Sequence, residues 1–125
     1  MPADFVTMPG AMATEKRTFT FDEARRLLPE VKEKTRLAVE RIEALETTVE
    51  DEDDADEAKE KLEVAARAVL AEWAAEILEL GVEVKGPWLV DFDSGGGYYC
   101  WKWPEEALDY FHSYDEGFSG RVRLQ

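Results

Sequence analysis

Residues 80–103, LGVEVKGPWLVDFDSGGGYYCWKW, mark the point at which the chain changes from a helical to an extended pattern. The helical spacing of apolar residues stops at Gly81, which suits the left-handed cap at the end of a helix. Val, Trp, Phe and Tyr follow, interrupted by Gly and Pro, and these aromatic and branched residues favour strands. We predict a β-hairpin over residues 82–103, with strands at 88–92 and 98–103 and a turn at 93–97.

Two long helices are predicted upstream of this hairpin. The first begins near Phe21, because Thr20 and Glu23 have capping-box spacing, and it extends to residue 49. The second covers residues 58–80, and the acidic run at 50–57 predicts a solvated turn between them. The first helix has apolar positions spaced by threes and fours, as in a coiled-coil seam: Phe21, Ala24, Leu28, Val31, Thr35, Ala38, Ile42, Leu45 and Val49.

A short third helix is predicted after the β-hairpin. Pro104 fits a first helical position, and Glu105 and Glu106 would lie near the positive end of the helix dipole. We therefore predict a helix at 104–114 and a tail at 115–125. The expected fold is mainly α (α+β): a long antiparallel helical hairpin, a C-terminal β-hairpin and this short helix, forming a single domain at 18–125 after a flexible lead at 1–17.

The charge balance limits the classes of partner. With 29 acidic and 15 basic residues, the 125-residue chain carries a formal charge of −14. Nucleic acids and anionic membranes both require a basic surface, so neither is expected as a partner. A single cysteine excludes an intramolecular disulfide, and the sequence contains no apolar run of membrane-spanning length. We expect a cytoplasmic, acidic protein.

The second helix carries more apolar surface than one partner helix would cover. One face of it is formed by Leu62, Ala66, Val69, Trp73, Ile77 and Leu80. A second apolar stripe is formed by Val64, Ala68, Ala71, Ala75 and Leu78. A second copy of the chain would cover this stripe by completing a four-helix bundle, so we predict a homodimer.

Polar residues that could bind a metal are concentrated in the C-terminal third. On the predicted third helix, Glu105, Asp109 and His112 are spaced by four and three residues and would share one face. Two carboxylates and an imidazole can hold a divalent cation, and Asp91 or Cys100 could reach the same place from the hairpin. No cofactor is firmly implied, but the pattern is compatible with a divalent metal.

A purely structural role explains the same residues. His112 would then pair with Glu105 or Asp109, and Arg121 would form a buried ion pair with Asp91 or Glu105. Cys100 lies between aromatic residues and is more typical of a small packed side chain than of a nucleophile.

Several motifs resemble those of the domain-of-unknown-function family 2203 of bacteria and archaea. FTFDEARRLLPEV, near the N-terminus, is similar to the first signature of that family, and LVDF, CWKWPE, FH and DEGFSGR are similar to its C-terminal signature. This chain differs in having Pro104 where the family usually has Gly and Phe111 where it usually has Trp. The resemblance implies no activity. It maps the family pattern onto Asp91, Cys100, Trp101, Glu105, His112, Gly117, Phe118, Gly120 and Arg121.

Two functions of different classes remain open at this point. The first is a ligand-binding or protein-interaction module for an unknown small ligand or protein partner. The second is a metal-dependent enzyme that uses the Glu105 and His112 region. An open coordination position at a metal would favour the enzyme, whereas a closed ion-pair network would favour the module. The candidate ligand-binding residues are Asp91, Cys100, Trp101, Glu105, His112 and Arg121.

Overall fold

The computed structural model describes residues 17–49 and 54–124 of the chain. Its two long helices are α1, Phe21–Val49, and α2, Ala55–Glu79. The predicted lead at 1–17 lies outside the described residues except for Arg17, and so do positions 50–53 of the acidic run. Neither helix has an apolar stretch long enough to cross a membrane, over the part of the chain that is described.

The start of α1 confirms the predicted capping box. The Glu23 amide donates to the Thr20 hydroxyl over 3.0 Å, and the Thr20 amide donates to the Glu23 carboxylate over 2.9 Å. These two reciprocal bonds satisfy amide groups that have no partner within the helix. The helix then continues without interruption through Pro29 to Val49.

Helix α2 begins at Ala55, three residues earlier than the pattern predicts. Asp54 is its N-cap, and its carboxylate accepts hydrogen bonds from the amides of Asp56 and Glu57. The end of the acidic run thus belongs to the helix, because carboxylates near the N-terminus of a helix satisfy its free amides and complement its dipole. The helix ends at Glu79, and Gly81 follows with a φ of 85°.

The two helices pack antiparallel, as predicted. Lys34 pairs with Glu76 and Arg41 with Glu72. The paired residue numbers rise along α1 and fall along α2, so the two helices run in opposite directions. Between the helices the buried Trp73 indole donates to the Thr35 hydroxyl over 2.9 Å. The core is formed by apolar side chains of both helices and of the sheet, among them Leu28, Val31, Ala38, Val69, Ile77, Val90, Phe92 and Trp101.

A five-stranded antiparallel sheet follows the helices. Its strands are β1 (Glu83–Gly86), β2 (Leu89–Asp93), β3 (Tyr98–Lys102), β4 (Tyr110–His112) and β5 (Val122–Arg123). They lie side by side in chain order. The predicted hairpin is present as β2 and β3, but Trp88 lies in a turn before β2 and Trp103 lies beyond the end of β3.

The predicted third helix is wrong, because residues 104–114 contain no helix. The Glu105 amide donates to the Lys102 carbonyl in a turn that contains the cis Trp103–Pro104 bond, and a loop then leads into β4. Tyr110 and Phe111 favour strands and find free partners on β3, so pairing with a distant segment overrides the local helix signal. The helical element that does occur in the C-terminal third is a single 3₁₀ turn, Phe118–Gly120.

The sheet separates an apolar layer from a polar one. Val90, Phe92 and Trp101 point toward the helices, and residues alternating with them point the other way. This second side, which we call the polar face, carries Asp91, Asp93, Tyr98, Cys100 and His112. Residues 113–121 fold back over it, with the Tyr114 hydroxyl donating to Asp93 over 2.5 Å. We call this covering stretch the C-terminal strap.

Candidate functional site

Three side chains with different donor atoms meet on the polar face. Asp91 in β2 lies directly opposite Cys100 in β3, and His112 in β4 pairs with Tyr98, two residues before Cys100. One carboxylate oxygen, the thiol sulfur and one ring nitrogen all lie within 4.8 Å of one another. All three residues are buried. We call Asp91, Cys100 and His112 the triad.

The His112 ring is oriented by two hydrogen-bond partners. Nδ1 lies 2.8 Å from the Ser113 carbonyl oxygen, and Nε2 lies 2.9 Å from Asp91 Oδ2. A carbonyl can only accept, so the Nδ1 atom carries a proton. Nε2 therefore either shares a proton with the Asp91 carboxyl or presents a lone pair toward the triad. The second arrangement is the tautomer of a histidine that binds a metal through Nε2.

Asp91 has an incomplete set of partners for a buried carboxylate. It is 1% exposed, and its Oδ1 atom accepts no hydrogen bond from any residue that the structure describes. The nearest lysine ammonium, that of Lys85, lies 3.7 Å from Oδ2, beyond hydrogen-bonding distance. Such an oxygen loses its solvation without replacement, which costs free energy unless another group binds there.

Cys100 is an inert thiol in this environment. Burial and, to a smaller extent, the Asp91 carboxylate raise the pKa of the Cys100 thiol to about 12, while Arg121 acts in the opposite direction. The neutral thiol therefore predominates at neutral pH, and a nucleophilic role is disfavoured. A divalent cation between the carboxylate and the sulfur would reverse the sign of the local field and favour the thiolate.

A second polar cluster fastens the C-terminal strap beside the triad. Arg121 donates to both oxygens of Glu105, with N···O distances of 3.1 and 2.8 Å. The guanidinium also lies over the rings of Tyr110 and Phe118, 3.9 and 4.0 Å from their centroids. Glu105 additionally accepts a bond from the Lys102 amide over 2.9 Å. We call this pair of residues the Glu105–Arg121 clamp.

A cavity of about 380 Å³ opens next to the triad. The strap forms one wall of it through Glu116, Gly117 and Phe118, and Lys85 and Leu89 of the first two strands form another. Asp91, Cys100 and His112 also line it, although each is at most 3% exposed. A ligand in the cavity would therefore lie next to the triad.

The structure brings most of the predicted site residues together, although not by the predicted route. Asp91, Cys100 and His112 form the triad, and Glu105 and Arg121 form the adjoining clamp. Trp101 points into the core on the other side of the sheet, and its indole donates to the Glu105 carbonyl over 2.8 Å. Its observed contacts are structural.

The predicted metal set Glu105, Asp109 and His112 does not share a helix face, because that helix is absent. Both carboxylate oxygens of Glu105 are engaged by Arg121, and Asp109 lies 3.8 Å from Arg123. Sequence reasoning missed Lys85, Ser113 and Glu116 as neighbours of the site. Lys85 had a detectable signal, since polar and apolar residues alternate over positions 82–85, but β1 was not predicted.

Comparison with protein families agrees with the motifs. The family described as "Uncharacterized conserved protein (DUF2203)" matches residues 17–124, so the chain belongs to this family. Searches of curated proteins and of solved structures gave no significant match. The match covers both helices, the whole sheet and every residue of the triad.

Proposed function

Since the description of its family assigns no activity to the chain, we propose a function from the site: the protein binds one divalent transition-metal ion of the zinc class through Asp91, Cys100 and His112. The observation that carries the proposal is the convergence of a carboxylate oxygen, a thiol sulfur and an imidazole nitrogen within 4.8 Å, all three buried. Zinc binds these three donor types, whereas calcium and magnesium prefer oxygen alone.

The surroundings of the triad support a metal ligand set. The Ser113 carbonyl holds a proton on His112 Nδ1, which leaves Nε2 as the atom that can bind a metal once no proton is shared with Asp91, and Asp91 Oδ1 has no competing partner among the described residues. Tetrahedral zinc separates its ligand atoms by about 3.5 Å, given bonds of about 2.0 to 2.3 Å. The donor atoms of the triad lie within 4.8 Å of one another, so the widest separation between them must shorten by roughly 1 Å when the ion binds. Side-chain rotation can supply this change.

A metal-dependent enzyme is the second candidate function, and the cavity is the observation that favours it. Structural zinc sites have four protein ligands, whereas catalytic sites have three and keep one position for water or substrate. The triad supplies three ligands, and all three of its residues line the cavity. A ligand-binding module without catalysis uses the same geometry.

Cobalt substitution tests metal binding directly. The chain has one cysteine and one histidine, so a thiolate-to-cobalt absorption band can arise only from Cys100. We expect one Co²⁺ per chain, with a tetrahedral spectrum, and we expect Zn²⁺ to displace it. Cys100→Ala should lose the absorption band. Asp91→Asn and His112→Gln should bind Co²⁺ at least tenfold more weakly. Asp109→Asn, a carboxylate outside the triad, is the matched control and should bind normally. Binding that is substoichiometric, or unchanged in the three triad variants, would refute the proposal.

A further inference from the structure

The cavity beside the triad has walls that differ in chemistry. Lys85 provides positive charge, Leu89 and Phe118 provide apolar surface, and Glu116 provides a single negative charge. Its volume of about 380 Å³ lies at the small end of the range for ligand-binding cavities. These features together restrict the ligand that fits.

We infer, resting on the proposed metal function, that the cavity binds a small monoanionic carboxylate with an apolar body. Its carboxylate occupies the open position of the ion bound by the triad and accepts a hydrogen bond from Lys85. Its apolar body lies against Leu89 and Phe118.

Lys85 is positioned to receive the anionic end of this ligand. Its ammonium lies 3.7 Å from Asp91 Oδ2, and it is held by Glu83 at 3.3 Å and by the face of the Tyr98 ring at 4.1 Å. Among the described residues that line the cavity, it is the one lysine, and none is an arginine. An oxyanion bound to the ion and an ammonium beside it form charge-assisted contacts in a site partly shielded from water.

The charge count favours a monoanion over a polyanion. A divalent ion is neutralised by the carboxylate of Asp91 and the thiolate of Cys100, and Lys85 is paired with Glu83 at 3.3 Å, so the site has no excess positive charge to hold a polyanion. Glu116, which also lines the cavity, would repel a second negative charge in the ligand. Phosphate is therefore expected to bind less well than a carboxylate.

The apolar walls favour a ligand with a hydrocarbon or aromatic body over a bare anion. Leu89 and Phe118 contribute apolar surface, and removing water from such surface is favourable in proportion to its area. Phe118 is 41% exposed in the structure, so a bound ring would cover part of it. Benzoate combines a carboxylate with an apolar ring and serves as the probe. Acetate, which has the carboxylate but no ring, is the comparison.

The test is a titration of the Co²⁺-loaded protein with benzoate, acetate and phosphate, followed by visible absorption. We expect benzoate to shift the cobalt bands saturably and to bind at least tenfold more tightly than acetate or phosphate. Lys85→Gln should weaken benzoate at least fivefold while keeping one cobalt per chain. Lys102→Gln is the matched control, because this lysine belongs to the next strand but one and does not line the cavity.

The outcomes separate the two proposals. If the cobalt spectrum forms but does not respond to benzoate, or if phosphate binds more tightly, the ligand inference is wrong and the metal site stands. Unchanged benzoate affinity in Lys85→Gln would also overturn the inference. If no cobalt spectrum forms at all, the metal function fails and the inference fails with it.

Discussion

Asp91 is difficult to explain as a stabilising residue. A buried ion pair gains little over well-packed apolar residues, because removing both charges from water offsets their attraction. Leaving Oδ1 without a partner adds a cost of about 1 to 3 kcal/mol. A side chain that reduces stability in this way is typical of functional sites, which keep residues that bind a ligand even where those residues lower the stability of the fold.

Removal of the Arg121 side chain should lower the stability of the fold. Arg121→Ala leaves Glu105 without its bidentate partner and detaches the strap from Tyr110. We expect a loss of about 2 kcal/mol in the free energy of unfolding, below the value for fully buried pairs because Glu105 is 24% exposed. Urea denaturation measures it.

Arg123→Ala is the control for this experiment. Arg123 is 70% exposed and 3.8 Å from its carboxylate partner, so its removal should change the unfolding free energy by less than about 0.5 kcal/mol. Equal effects of the two substitutions would contradict the role of the clamp.

At the level of elements, the turn between β2 and β3 sets the position of the triad. Gly97 has a φ of 153°, and a Cβ atom built on it would lie 2.3 Å from Phe111 Cζ and 2.9 Å from the His112 carbonyl oxygen. This glycine therefore allows β4 to approach β3 closely. The approach of β4 brings His112 to Asp91.

Gly97→Ala should accordingly disturb both the fold and the site. We expect a loss of about 3 kcal/mol from overpacking and backbone strain, with weakened Co²⁺ binding because His112 is displaced. Gly96→Ala, one residue earlier, places its Cβ in open space and should be nearly neutral. Thermal unfolding and cobalt titration provide the readouts, and a Gly97→Ala variant as stable as Gly96→Ala would refute this account.

The elements that the sequence predicted correctly are those with local signals. Thr20 and Glu23 mark the start of α1, and Gly81 follows the end of α2, because caps depend on neighbours along the chain. Strand β4 depends instead on partners about ten residues away in β3, and Pro104 followed by two glutamates fits a turn as well as a helix. The site residues could be identified, but their grouping depended on sheet register, which no local pattern specified.

At the scale of the whole molecule, α2 presents an apolar stripe that the described part of the chain does not cover. Val64 is 60% exposed and Leu78 is 56% exposed, at the two ends of the stripe. The positions between them, Ala68, Ala71 and Ala75, are also exposed. Small alanines allow another helix to approach closely, so the stripe has the shape of a helix-packing surface.

We expect this stripe to pair with the same stripe of a second copy, forming a homodimer with a four-helix core. Light scattering at micromolar concentration should give twice the chain mass of 14.3 kDa. Because each chain carries a charge of −14, raising the salt concentration should strengthen the dimer by screening the repulsion between the two chains.

Val64→Glu should yield a monomer, since it buries an unpaired carboxylate at the contact. Val122→Glu is the matched control, because this valine is also 60% exposed but lies on the edge strand β5, away from α2. A monomeric wild-type protein at all salt concentrations, or a dimeric Val64→Glu variant, would refute the pairing and leave the stripe as ordinary exposed surface.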